Sequence, residues 1–493
     1  MKKILIAVLA VVILLVGTGG FYYAKVYANP YNRTAIAVAK SMNATNQDIT
    51  CNMKFALDPE KYEESTGMTL YDDEKAMMLY VNSLLDKTAF ELNYKQAINK
   101  KNPIDSKFQY ALNWLYNEEK LLDFMVGMDE EYFEVLMPSI MNKTFFVSKD
   151  DIYKQMDLDL KDFDFEKYFK IIRNNRKLLK AVDQDVYLDI LKDTFKDKIK
   201  KGDSVNVVMS DGKKVKCREY IVEMQYEDTL NIMKDMISEM EDDEAIKEYI
   251  RVTTLEVLEE LKDSKDYKAF KIEKNHIEEI TEYFENEDDF EDVYEEMIVA
   301  LNEMIDELET VSDEVNVDYN VTYAIDIKND IRAMKMDMDY GFIKVDYDYV
   351  MNSIGRKIDF ASYEDNERID IMTLMEKDED ELYDMAEEII IDAGDKVIAN
   401  KALDSMLKDM KKNSDLLPSE YSAMLGTYID EFQNNKGTFI QDLIDTMLYS
   451  MKNPYSYDYE EDVDYEDYDF EDLELDYDFG DLDFDFNIED YEY

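Results

Sequence analysis

Ile49, Cys51, Met53 and Phe55 alternate with polar residues through DITCNMKFALD, and this period of two returns along the chain. Successive side chains of a strand point to opposite faces, so strict alternation means one covered face and one wet face. That is the signature of antiparallel rather than doubly buried parallel sheet. TAFELNYKQAI places Phe90, Leu92 and Tyr94 on one side, and KFQYALNWLY places Phe108, Tyr110, Leu112 and Trp114. Shorter strand candidates follow at 121–126, 132–136 and 144–147. In SVNVVMSDGKKVKCREYIVEM the pair Asp211-Gly212 predicts a hairpin turn, because Gly tolerates positive φ. A second strand-rich block runs from Val315 to Leu374, with Met334, Met336 and Met338 opposite Lys335, Asp337 and Asp339.

Between these blocks the apolar spacing becomes i, i+3, i+4, which predicts helices over 151–201, 227–308, 379–411 and 419–452. The expected fold class is α+β, with curved antiparallel sheets packed on helices. A first α+β module is expected over 29–226 and a second over 227–452, the alternative being two halves of one long sheet. The ordinary reading of Tyr110, Trp114 and the Met334–Met338 ladder is sheet core against helices. A hydrophobic groove is the competing one, since Met adapts to varied apolar ligands.

The two ends differ from the middle. Ile4 to Ala24 is 21 residues without a charge, long enough to span a hydrocarbon core, and Lys2 and Lys3 precede it. The expectation is a retained N-terminal transmembrane helix within residues 1–28, with the bulk of the chain extracytoplasmic; a cleaved signal peptide would export the chain equally. From Tyr457 to Tyr493 there is no Lys or Arg and there are 19 acidic residues, so 453–493 is expected to be a disordered acidic tail.

The formal charge of −59 argues against nucleic acid, and against adhesion to anionic lipid beyond the anchor itself. Two cysteines, Cys51 and Cys217, both on apolar sides of strands, permit one disulfide in an oxidising compartment; two separate buried thiols are the alternative. The single histidine, His276, reads as helix surface, and with two cysteines leaves too few ligands for a Cys/His zinc site. No catalytic residue or cofactor is expected. In the tail, Asp481, Asp483, Asp485 and Glu492 fall at positions 1, 3, 5 and 12 of a calcium loop, but Phe486 stands where such a loop turns on Gly. The plain reading of the tail is therefore solubilising ballast, against weak, collective binding of divalent cations or contact with a cationic partner.

DITCNMKFALD and KFQYALNWLYNEEKLLDFM, following the lysine-led apolar segment, resemble uncharacterised membrane-anchored extracytoplasmic proteins of clostridia and relatives. More remotely the order of elements is similar to lipoprotein-carrier-like cell-envelope proteins, in which a curved sheet wraps helices around an apolar cavity. The resemblance implies a binding or envelope role rather than catalysis, and the expected function is a non-enzymatic binding or scaffolding protein of the cell envelope whose partner, cationic or apolar, stays open. A wall-polymer hydrolase using paired carboxylates and a calcium-responsive surface protein are the readings from other classes.

Overall fold

The computed structural model describes residues 30–160, 163–314, 318–340, 342–361, 366–374 and 376–452. The expected anchor at 1–28 and the tail with Asp481, Asp483, Asp485 and Glu492 lie outside them. Among the described residues no helix is long and apolar enough to cross a membrane.

The fold is α+β. After helix α1 (Pro30–Met42), strand β1 (Asn46–Leu57) leads through helices α2 (Pro59–Thr66) and α3 (Asp72–Leu85) to a meander. Its strands are β2 (Thr88–Ala97), β3 (Lys107–Tyr116), β4 (Glu119–Met128), β5 (Tyr132–Leu136) and β6 (Lys143–Ser148), and helix α4 (Lys149–Gln155) follows. The second meander comprises β7 (Ile199–Val208), β8 (Lys214–Gln225), β9 (Asp318–Asp326), β10 (Ile331–Tyr340) and β11 (Ile343–Ile354). Strand β12 (Glu367–Asp370) then pairs in parallel with β6, and every other pairing is antiparallel.

The two strand-rich blocks form one twelve-stranded mixed sheet, in the order β12-β6-β5-β4-β3-β2-β1-β11-β10-β9-β8-β7. The seam is β1 with β11, so strands on both sides of residue 226 share one hydrogen-bonded layer. The predicted turn at Asp211-Gly212 is present, with Gly212 at φ 77°.

The expected packing of helices against the sheet is only partly what the chain does. Its largest apolar cluster is helix on helix, built by α5 (Phe165–Asn175), α6 (Gln184–Phe195), α7 (Tyr226–Glu241), α8 (Glu244–Ser264), α9 (Lys274–Glu285) and α10 (Glu287–Glu314). Tyr249, Phe284, Tyr294 and Ile305 are at most 2% exposed there, and no strand residue belongs to the cluster as described. Three of these helices start on an aspartate cap, Asp164, Asp183 and Asp243; Asp243 accepts the backbone N–H groups of Ala245 and Ile246 and so satisfies two otherwise orphaned donors of α8. Helix α1 does lie on the sheet, where Ala37 packs with Tyr220, Ile325 and Met351. The C-terminal helices are α11 (Glu379–Ala399), α12 (Lys401–Asn413) and α13 (Ser419–Lys452). The first two are tied to the strand turns through Lys396 to the Pro138 carbonyl (2.7 Å) and Tyr116 to Asp409 (3.1 Å).

The disulfide left open above does not form: Cys51 and Cys217 are free and buried. Cys51 lies on β1 and Cys217 on β8 with three strands between them, which at about 4.8 Å per strand is about 19 Å. A bridge needs Cα atoms within about 7 Å. They also face opposite ways, since Cys51 shares its side with Tyr349, Met334, Tyr323 and Tyr220, three residues from Cys217 along β8. Burial, then the Asp326 carboxylate, pushes the Cys217 thiol up to about 11. We expect two thiols to titrate with a disulfide-exchange reagent in denaturant without reductant, and neither to react quickly in the native chain. Recovery of no free thiol after unfolding would contradict this geometry.

Candidate functional site

Cross-strand register lines the apolar residues of the first meander into continuous rows. Leu122, Trp114, Phe90, Met53, Tyr347 and Met336 stand opposite one another from β4 to β10. The adjacent row is Phe124, Leu112, Leu92, Cys51, Tyr349 and Met334. A third contains Val126, Tyr110, Tyr94, Ile49 and Met351. Not one of these positions carries a charge, in a chain that is 35% charged.

Neighbouring rings interlock. Phe90 and Trp114 stack at 5.7 Å, Tyr94 and Tyr110 meet at 4.7 Å, and Phe55 sets its edge against Phe90 at 5.6 Å. Such pairs each contribute roughly 0.5–1.5 kcal/mol beyond their buried area. Burial, then the neighbouring Tyr110, pushes the Tyr94 phenol up to about 12, so it stays neutral at any ordinary pH.

On β3 the usual relation between polarity and burial is reversed. Tyr110 is 43% exposed and Leu112 40%, and Leu122 opposite Trp114 on β4 is 38% exposed. The polar residues of the other face are buried instead, Gln109 at 9% and Asn113 at 5%. The cause is topological. After β11, in mid-sheet, the chain must reach β12 at the far edge, and its segment beyond Gly355 travels over the polar face. Gln109 binds the Ala361 backbone twice, donating to its carbonyl and accepting from its N–H, both at 3.1 Å. Side-chain hydrogen bonds continue that face: Asn113 and Asn93 both donate to Glu91, Thr50 donates to Asn93, and Asn352 donates to Thr50 and Asp48. A polar face is thus satisfied and covered, while the apolar face beside it is open at Tyr110, Leu112 and Leu122 and closed at its Tyr116 end by α12. The sheet-core expectation for Tyr110 is corrected accordingly. The Met334 and Tyr349 end of the same face runs toward the helix-covered region, where Tyr323, Tyr349 and Met351 pack with Ala37.

The other chemistries find less. Among the described residues no group of three or more His, Cys, Asp or Glu side chains is placed to hold a metal ion. His276 lies near the start of α9, one residue before the buried Ile277. Among the described residues two carboxyl groups are held above their usual range. Glu134 is raised by burial, against the pull of Arg368, and Asp337 by burial and then by Asp346 and Asp348. Asp337 and Asp346 face each other across β10 and β11 on the polar side, and Glu134 is paired with Arg368 at 2.5 Å.

A cavity of about 610 Å³ between α6 and α7 is lined by Asp189, Asp193, Asp228 and Asp235 with Lys198, which is ion-paired to Asp228.

No family model, curated protein or solved structure matches this chain.

Proposed function

We propose that this chain is a non-catalytic binding protein of the cell envelope. In this reading residues 4–24 hold it to the membrane and the sheet lies outside, taking the acyl chain of an amphiphile on the open face of β2–β4. One observation carries the reading: on β3 the polar side is buried while Tyr110 and Leu112 remain exposed. Full burial of such a side chain is worth about 1.5–3 kcal/mol, so covering what is still exposed on Tyr110, Leu112 and Leu122 yields roughly 1 kcal/mol each. The lack of any charge in the rows favours an apolar occupant over an ionic one, and the Met and aromatic lining adapts to a flexible chain.

Trp114 is the only tryptophan and sits on this face, so its emission reports occupancy. With the full chain in neutral-lipid nanodiscs, added dibromostearate is expected to quench Trp114 saturably. Leu112→Lys and Leu122→Lys are each expected to raise the half-saturating concentration about tenfold, the equivalent of roughly 1.4 kcal/mol. Quenching that only follows the bromine content of the bilayer, and is the same in both variants, would reject this reading.

A further inference from the structure

Antiparallel pairing sorts the loops of the sheet into two ends, and between β2 and β7 one end is mainly cationic, although the β4–β5 turn beside it at that end exposes Glu130, ion-paired with Lys107, and Glu131. The β2–β3, β7–β8 and β9–β10 turns, the start of β1 and the exit of β11 all lie at one end. The β2–β3 turn exposes Lys100 and Lys101, and the β7–β8 turn exposes Lys213 and Lys214. Lys328 is exposed on the β9–β10 turn, and Arg356 and Lys357 follow β11 directly. The exposed carboxylates in these same loops are Asp211, which is ion-paired with Lys213, and Asp359. At the other end the β3–β4 turn carries Glu118 and Glu119 beside Lys120, and α3, which links β1 to β2, opens on Asp72, Asp73 and Glu74.

Apolar side chains project from the cationic end as well. Ile327, at the tip of the β9–β10 turn, is 90% exposed, Met42 at the end of α1 is 78% exposed, and Ile98 is 43% exposed. The tip is not loose. Arg33 of α1 donates to the Asp326 carbonyl at 2.8 Å and to Asn329 at 3.1 Å, and Lys40 donates to the Lys328 carbonyl at 3.1 Å. Neighbouring loops are stitched to each other, Gly355 N–H to the Asn46 carbonyl at 2.8 Å and Ile98 N–H to the Thr45 carbonyl at 2.8 Å.

From this we infer that the cationic end of the sheet is a docking surface for an anionic lipid bilayer, with Ile327 entering the interface between the headgroups. The overall charge of −59 does not oppose this, because fields are screened beyond about 8 Å at physiological ionic strength and the nearest charges decide. Lysines close to an anionic leaflet strengthen attachment by roughly fivefold each. The exposed isoleucines and methionine select a lipid surface over a soluble polyanion, which offers nothing apolar to receive them. The inference stands on the loops alone, not on the acyl-binding face or on residues 4–24.

The test uses the full chain with Ile327→Cys carrying an environment-sensitive nitrobenzoxadiazole label; Cys51 and Cys217 are 2% and 3% exposed, and the labelled parent chain measures any background. In vesicles containing phosphatidylglycerol the label is expected to brighten and shift to the blue, and in pure phosphatidylcholine vesicles it is not. About 0.5 M salt should reverse the change. Reversing Lys213, Lys214, Arg356 and Lys357 to Glu should abolish it, with the circular dichroism of the chain unaltered. Should that fourfold variant misfold, Lys213→Gln and Lys357→Gln, made singly, should each lower the docked fraction by several-fold. An equal response in neutral vesicles, indifference to the charge changes, or the same shift with soluble polyphosphate in place of a bilayer would each overturn the inference. Leu112→Lys is expected to leave the label's response intact, so failure of acyl binding and failure of bilayer docking are read separately.

Discussion

Asp326→Ala is expected to lower the free energy of unfolding by about 3–5 kcal/mol, the cost of removing one partner from a buried ion network. Asp326 closes the β9–β10 turn from inside. Its Oδ1 accepts the backbone N–H groups of Lys328 at 2.7 Å and Asp330 at 3.0 Å, and its Oδ2 accepts Arg332 Nε at 2.8 Å. Arg332 also reaches Asp330 at 2.6 Å, and the side chains of all three residues are only 7–8% exposed. Ala at 326 would leave the Arg332 guanidinium facing Asp330 alone and two turn N–H groups without their acceptor. It would also loosen the tip against which Arg33 and Lys40 hold α1.

The same residue gives this prediction a pH signature. Burial by itself would raise the Asp326 carboxyl, but the Asp330 N–H, the Arg332 guanidinium and the Lys328 N–H outweigh it and hold the group below the usual range. A depressed folded value means that the unfolded chain binds the proton more readily. The stabilisation is therefore complete above the unfolded value of about 3.9 and is lost as pH falls through the lower folded value. Urea titrations of both chains should give a difference that is constant near neutrality and shrinks in acid. A gap below about 1 kcal/mol at pH 7, the level of an exposed pair, would mean that the network is not what holds the turn.

How far this arrangement could be read beforehand depends on the range of the interactions. Alternation in β1, β2, β3 and β10 was legible because period two is a local property, and so was the Asp211-Gly212 turn. Which face would be covered was not. Tyr110 and Gln109 differ in polarity as expected, but the segment that covers Gln109 comes from residue 361, some 250 positions away, and no local pattern announces where a crossover will run. Pairing of β1 with β11 is equally remote in sequence, so one sheet and two could not be told apart. The inward reading of Cys51 and Cys217 was correct for each cysteine separately. It could not reveal that their strands stand apart or that they face opposite ways. The helical pattern read over 151–201 overran into β7, which starts at Ile199, because the Lys-Gly-Asp residues there carry no apolar period. The cationic end is the clearest case. A total charge is a sum over the chain, and only the fold decides that Lys101, Lys214, Lys328 and Lys357 come to the same end of a sheet.

The helical core permits the other large perturbation. Phe284 of α9 is 1% exposed and meets Phe290 with ring centroids 5.5 Å apart, which continues to Tyr294, whose hydroxyl donates to the Met240 carbonyl at 2.5 Å. Truncation to Ala removes a full aromatic volume from a site closed on every side, and about 3–5 kcal/mol should be lost. Because the cluster around Phe284 contains no strand residue among those described, the loss is expected to fall on the helices first. In urea, helical circular dichroism of Phe284→Ala should decline at lower concentration than in the parent chain. Trp114 emission, reporting from β3, should keep more of its original midpoint. The connection argues for some coupling, since β8 precedes α7 and β9 follows α10, and the two strands pair with each other. Local opening of one cooperative unit before another is what separate cores produce. Coincident transitions, shifted by the same amount in both signals, would instead mean that the helices and the sheet unfold as one, and that the β8–β9 ladder, whose strands flank the helical segment, binds the two cores into a single transition.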